Sequence, residues 1–289
     1  MTSYFRNKAA YAIFLLPALA LFLFTVLLPI LWSSAYSMFS WDGISDFKFV
    51  GLQNYSNLFF NDDTFWQSFR NNILYVVINT VFQISAGLLI ALLLTKLRRG
   101  NSLFQTLFFT PAVISSVAIS QLFQKVLSVE PVGLLNYLLQ SMGLGQFAQA
   151  WLSNPGTALI SVSLIEAYRF VGIYMIIFYT ALISVPNEYI EAAQLDGAVG
   201  IKLFRYIKYP MIKGVIAVAV VMVVNGTLKG FDIPYILTNG GPGRFTELIA
   251  TYMYKTAFLT AQFGYGSAMA VFLALESLIM VAFLRKVYA

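Results

Sequence analysis

Long apolar runs separated by short polar segments set the pattern of this 289-residue chain. A helix needs about 20 mainly apolar residues to cross a bilayer. Six stretches meet that length, at roughly 9–32, 71–95, 102–124, 157–185, 212–236 and 264–284. The last three carry isolated charges and are otherwise apolar. No internal repeat and no interrupted helix is legible among them. The expected architecture is therefore all-α: a polytopic membrane protein with six transmembrane helices. The first run holds Pro17 and Pro29 and exceeds the ~15 residues of a signal-peptide core, so Ser33-Ser34-Ala35 is not read as a cleavage site.

The basic residues orient this threading. With the N-terminus inside, the inner side holds eleven: Arg6, Lys8, Lys96, Arg98, Arg99, Lys202, Arg205, Lys208, Lys213, Arg285 and Lys286. The outer side holds five: Lys48, Arg70, Lys125, Arg244 and Lys255. Arg169 and Lys229 fall within spans. Positive charge favours the cytoplasmic side, so both termini are expected there. Trp32, Trp41, Trp66 and Trp151 fall near outer boundaries, where aromatic side chains suit the headgroup level. The outer loop at about 33–70 is rich in aromatics (Phe47, Phe49, Tyr55, Phe59, Phe60), which predicts a packed segment rather than a flexible connector.

Composition narrows the function. Hydrophobic residues make up 59% of the chain and charged residues 10%, against about 25% charged in soluble domains. The net charge of +6 comes from short clusters between spans, which argues topology and not nucleic-acid binding. The chain has no cysteine and no histidine. Zinc sites and histidine-based triads are thereby excluded, and no catalytic or metal-binding residue is assigned.

The segment between the fourth and fifth runs carries the sharpest signal. It reads Pro186-Asn187-Glu188-Tyr189-Ile190-Glu191-Ala192-Ala193-Gln194-Leu195-Asp196-Gly197 and continues to Pro210. Proline and then acidic residues suit a helix start, and Gly197 suits a helix stop. A second short helix is expected from about Val199 to Lys208, ending at Pro210. A plain interfacial helix pair has the same composition.

The spacing of Glu191-Ala192-Ala193, Gly197, Ile207 and Pro210 resembles the EAA loop of binding-protein-dependent ABC importer permeases. Tyr209 stands where that family usually has Leu. The resemblance implies a type I importer permease fold, with Glu191, Ala192, Ala193, Gly197, Ile207 and Pro210 coupling the chain to a separate ATPase. Phe49-Val50-Gly51-Leu52-Gln53-Asn54-Tyr55, Phe231-Asp232 and Leu237-Thr238-Asn239-Gly240-Gly241-Pro242 resemble the MalF-like carbohydrate branch, in its shorter multiple-sugar and glycerol-phosphate form. The implied organisation is a first helix with its outer loop (1–69) and a permease domain (70–286) with its coupling loop at 186–213. Implied partners are a MalG-like second permease, two ATPase subunits, an extracytoplasmic solute-binding protein, the sugar and the bilayer. ATP and Mg would belong to the ATPase subunits; this chain would need no cofactor. No Gly-Lys-Ser/Thr follows the glycines at 240, 241 and 243, so they are not read as a phosphate loop.

Ionisable residues inside a membrane are costly and default to function. Glu166, Arg169, Lys229, Asp232 and Glu276 are such residues. Glu166–Arg169 and Lys229–Asp232 are spaced to share a helix face, and mutual neutralisation is the plain alternative. By the resemblance, Glu166, Arg169, Phe170 and Ile173 fall where maltose-type permeases contact sugar. So do Gly226, Thr227 and Gly230, with Asn225 and Lys229 nearby. Asp232 and Glu276 are expected to be structural or to line the pathway, Glu276 through a cross-helix pair with Lys229 or by facing the cavity. The expected function is ATP-driven import of a carbohydrate, an oligosaccharide first, across a bacterial or archaeal cytoplasmic membrane. Import of glycerol phosphate or another polyol derivative is the alternative. A secondary transporter or a membrane enzyme finds less support.

Overall fold

A computed structural model describes residues 8–97 and 99–288, without the side chains of 8–12, 287 and 288. Arg6 and Arg98 of the inner charge count lie outside the described residues. Five helices are long and apolar enough to cross a membrane: Ile13–Tyr36, Asp63–Leu94, Ala158–Ile183, Ile201–Leu228 and Phe263–Lys286. A sixth crossing, span three, is the bent pair Asn101–Val113 and Ser116–Val126. In chain order these are spans one to six.

Two spans are interrupted where apolar length alone foretold continuous helices. Span three turns by 99° at Ile114–Ser115. Ser115 restarts the helix as its cap, its hydroxyl accepting from the Val117 amide at 3.3 Å. Span five stops at Leu228, and a short helix resumes at Asp232–Thr238. Length and hydropathy do not register such breaks, because a kinked apolar run reads the same as a straight one.

The chain forms two compact units. One comprises the chain up to Asp62 with Met253–Leu275. It contains span one, whose apolar stretch has no buried residue. The loop that follows is packed: Phe39–Ser40 pairs antiparallel with Lys48–Phe49. Trp41 stacks on Phe47 at 4.5 Å, and the Asn54 amide donates to the Ser37 and Phe39 carbonyls at 2.9 and 3.0 Å.

The other unit comprises Asp63–Tyr252 with the chain from Glu276 onward. Lipid tails are as apolar as leucine, so its helices are held by close packing and polar contacts more than by removal from water. Gly87 of span two meets the Met175 backbone of span four; a Cβ there would lie 3.2 Å from the Met175 nitrogen. At Gly172 the fit is tighter, since a Cβ would fall 2.0 Å from the Phe108 carbonyl oxygen of span three. Ala91 and Leu94, Met175 and Phe178, and Ile212 and Val223 tie spans two, four and five into one core. A second core joins Tyr75, Ile119, Val162, Ile165 and Ile233.

Candidate functional site

The segment between spans four and five begins with a helix at Asn187–Leu195, with Pro186 just before it as the cap residue. It ends in a Schellman motif. The Ala198 amide donates to the Ala193 carbonyl at 2.8 Å and the Gly197 amide to the Gln194 carbonyl at 3.0 Å. Gly197 takes the left-handed φ of +79° that this motif requires. Ala193 is buried, and Ile190 packs onto the core of spans two, four and five. Glu191 and Ala192 face outward, beside a set of exposed apolar side chains that includes Tyr189, Leu195 and Ile201. Leu195 is 90% exposed. Bare apolar surface rimmed by charge marks a surface that another protein covers.

The second helix of the segment does not stop at Pro210, as the sequence suggested. It runs from Ile201 to Leu228 as span five itself. A π turn at Phe204–Lys208 precedes the proline, and the Tyr209 amide donates back to the Phe204 carbonyl. Proline lacks an amide hydrogen and its ring crowds the carbonyl four residues earlier. Widening the turn relieves that crowding, so the helix passes through. Ile207, half-buried, sits in this turn.

Glu166 and Arg169 lie one turn apart on span four. Among the described residues no ion pair joins them, and Glu166 Oε2 and Arg169 Nε are buried without a hydrogen-bond partner. The Arg169 guanidinium carbon stands 4.9 Å from the Phe170 ring centre. Tyr75 of span two, its hydroxyl buried without a partner, feels the charges of Glu166, Arg169 and Asp232. The structure thus brings Tyr75, Glu166, Arg169 and Asp232 into one electrostatic neighbourhood. Ile173 is half-buried on the same helix.

Lys229 and Asp232 do not share a helix face. Lys229 is the last-turn cap of span five, Asp232 opens the next helix, and both are exposed. Asn225 is half-buried and Gly226 exposed, whereas Thr227 is buried with its hydroxyl donating to the Val223 carbonyl at 2.8 Å. Gly230 presses on the Tyr75 ring; a Cβ would come within 2.8 Å of it. Glu276 forms no ion pair with Lys229. Both its carboxylate oxygens are buried without a hydrogen-bond partner among the described residues.

A polar row along span two was not singled out from the sequence: Ser68, Asn71, Asn72, Tyr75, Asn79 and Gln83, all buried. Asn72 donates to the Leu228 carbonyl at 3.2 Å, which is the carbonyl left open where span five breaks. Asn71 donates to the Arg244 and Glu247 carbonyls, both at 2.9 Å. The Gly240-Gly241-Pro242 turn is fixed within itself as well. Thr246 donates its amide to Gly240 at 3.2 Å and its hydroxyl to Gly241 at 2.7 Å. The signal was available in the three- and four-residue spacing of polar side chains (Ser68, Asn72, Tyr75, Asn79, Gln83) within an apolar span.

Residues 83–288 match the family described as "Binding-protein-dependent transport system inner membrane component". The "Probable ABC transporter permease protein YurN" of Bacillus subtilis (strain 168) is 42% identical over 92% of this chain and 91% of its own length. The "Lactose transport system permease protein LacF" of Rhizobium radiobacter is 32% identical over 91% and 88%. A chain of the crystal structure of a bacterial alginate ABC transporter, in complex with an alginate pentasaccharide-bound periplasmic protein, has the same fold. It matches with a TM-score of 0.83 at 24% identity over 96% of this chain and 93% of its own. The broken fifth span, the EAA helix at the foot of a membrane rod and these relationships agree. This chain belongs to the binding-protein-dependent transport family, as a multi-pass ABC importer permease of the type I fold.

Proposed function

We propose that this chain is the MalF-like half of a sugar importer in a bacterial or archaeal cytoplasmic membrane. It pairs with a MalG-like permease, receives an oligosaccharide from an extracytoplasmic binding protein, and is driven by two ATPase subunits that hold the ATP and Mg. The observation that carries this reading is the coupling helix. It is exposed on the Glu191–Ala192 side, anchored through Ala193 and Ile190 on the other, and continuous by way of the 197–200 bend with span five. Closure of the ATPases would push on that helix and move spans four and five around the Glu166–Arg169 region. The names of the lactose and alginate relatives support the cargo class. Carboxylates, guanidinium and amides suit sugar hydroxyls, which both donate and accept.

The test is Glu191→Lys in the assembled, reconstituted transporter. Uptake should fall at least tenfold while basal ATP hydrolysis persists and no longer responds to loaded binding protein. Unchanged uptake and unchanged stimulation would remove the loop from coupling.

A further inference from the structure

The unit formed by the chain up to Asp62 with Met253–Leu275 holds a cavity of about 330 Å³ that none of the pathway residues touches. The hairpin, the helix Gln53–Phe60 and the turn into span six build it. Trp41, Asp42, Ser45, Asn57, Gln262 and Tyr265 lie in its walls. Its size is at the lower end of ligand sites, about 300–1,000 Å³.

The walls are set in advance. The Phe263 amide donates to the Trp41 carbonyl at 3.0 Å. Gly264 is pressed so closely on Phe39 that a Cβ would lie 1.8 Å from its carbonyl oxygen. The Tyr265 hydroxyl donates to Asp62 Oδ2 at 2.6 Å. Asp42 Oδ1 accepts from the Ile44 and Ser45 amides at 3.0 and 2.7 Å and from the Ser45 hydroxyl at 2.8 Å. The Ser45 and Ile44 backbone hydrogen bonds hold the Asp42 carboxyl down at about 2, so it is an anion, and an acceptor only, at any physiological pH.

The chemistry of the walls selects the ligand. A lone carboxylate is too few donors for a metal ion, and among the described residues no group of three acidic side chains gathers. The polar lining disfavours an apolar ligand. Amides that donate and accept, a fixed carboxylate and an indole suit a ring that carries many hydroxyls. We propose that this cavity is a second carbohydrate site, on the outer face, taking a neutral mono- or disaccharide unit. The inference rests on the sugar-import reading.

The probes are maltose, lactose and sucrose, offered to the reconstituted full transporter without binding protein and read by saturation-transfer NMR. At least one should give a signal that drops fivefold or more in Asp42→Ala and in Gln262→Ala. Gln262 is exposed and makes no side-chain hydrogen bond, so its variant leaves the fold intact. Absence of signal from all three sugars overturns the site. So does a signal that survives both variants, or one lost only in Arg169→Ala, which belongs to the pathway. ATP-driven uptake of the same sugars with binding protein separates the two readings. Uptake without a cavity signal sinks this site alone, and a cavity signal without uptake sinks the import reading alone.

Discussion

Asn72 shows what single residues contribute here. A helix that ends inside a membrane leaves carbonyls open, and hydrocarbon offers them nothing. Asn72 supplies the missing donor to Leu228. Replacing it with Leu removes the donor and keeps the volume. The orphaned carbonyl should cost about 1–3 kcal/mol, read as a lower midpoint of thermal unfolding of the purified complex; an unchanged midpoint would mean the carbonyl finds another donor. The sequence displayed Glu166 and Arg169 as exceptions because formal charge stands out in an apolar run. The amides of span two did not stand out. The partners of Asn71 and Asn72 are 156 to 176 residues away along the chain, so nothing local announces what they cap.

Among elements, prolines produce a repeated device. Span one carries a π turn at Leu23–Leu27 just before Pro29, and span five one at Phe204–Lys208 just before Pro210. In each, the residue before the proline donates five residues back, to Leu23 and to Phe204. Reading Pro210 as a helix stop follows the usual rule for proline; the widened turn is how this chain escapes it. The existence of the spans was legible from apolar length, and their breaks at 114–115 and 229–231 were not. Glycines test the packing of these elements. Gly172→Ala would drive a methyl into the Phe108 backbone and should sharply lower the yield of folded complex. Gly214 has open space where a Cβ would go. Gly214→Ala should leave uptake intact and raise stability by about 0.5–1 kcal/mol, the usual gain over glycine within a helix. Equal thermal midpoints for the two variants would contradict the close approach of spans three and four.

For the whole molecule, the unresolved charge of span four is the central fact. Glu166 and Arg169 are held in the interior with hydrogen-bonding atoms unused by this chain. Ionisable groups inside a membrane are costly, which makes them functional candidates by default. On the proposed function, Arg169→Ala should lower uptake at least tenfold while the complex still elutes intact in size-exclusion chromatography. Full transport would place Arg169 outside the pathway, and dissociation would make it an assembly residue. The EAA spacing was legible because it is local. The neighbourhood of Tyr75 with Glu166, Arg169 and Asp232 was not, since three separate segments create it.

The unbroken helix from Ile201 to Leu228 has 28 residues, about 42 Å at 1.5 Å each. Tilted by about 5° around its foot, a rod of that length sweeps its far end sideways by about 4 Å. The turn beyond 229–231 is moored to span two through Asn71 and stays behind. On the proposed function, span five is thereby geared: a small tilt imposed at its foot is magnified at the far end, and the gap at Lys229–Phe231 is the joint that takes up the difference.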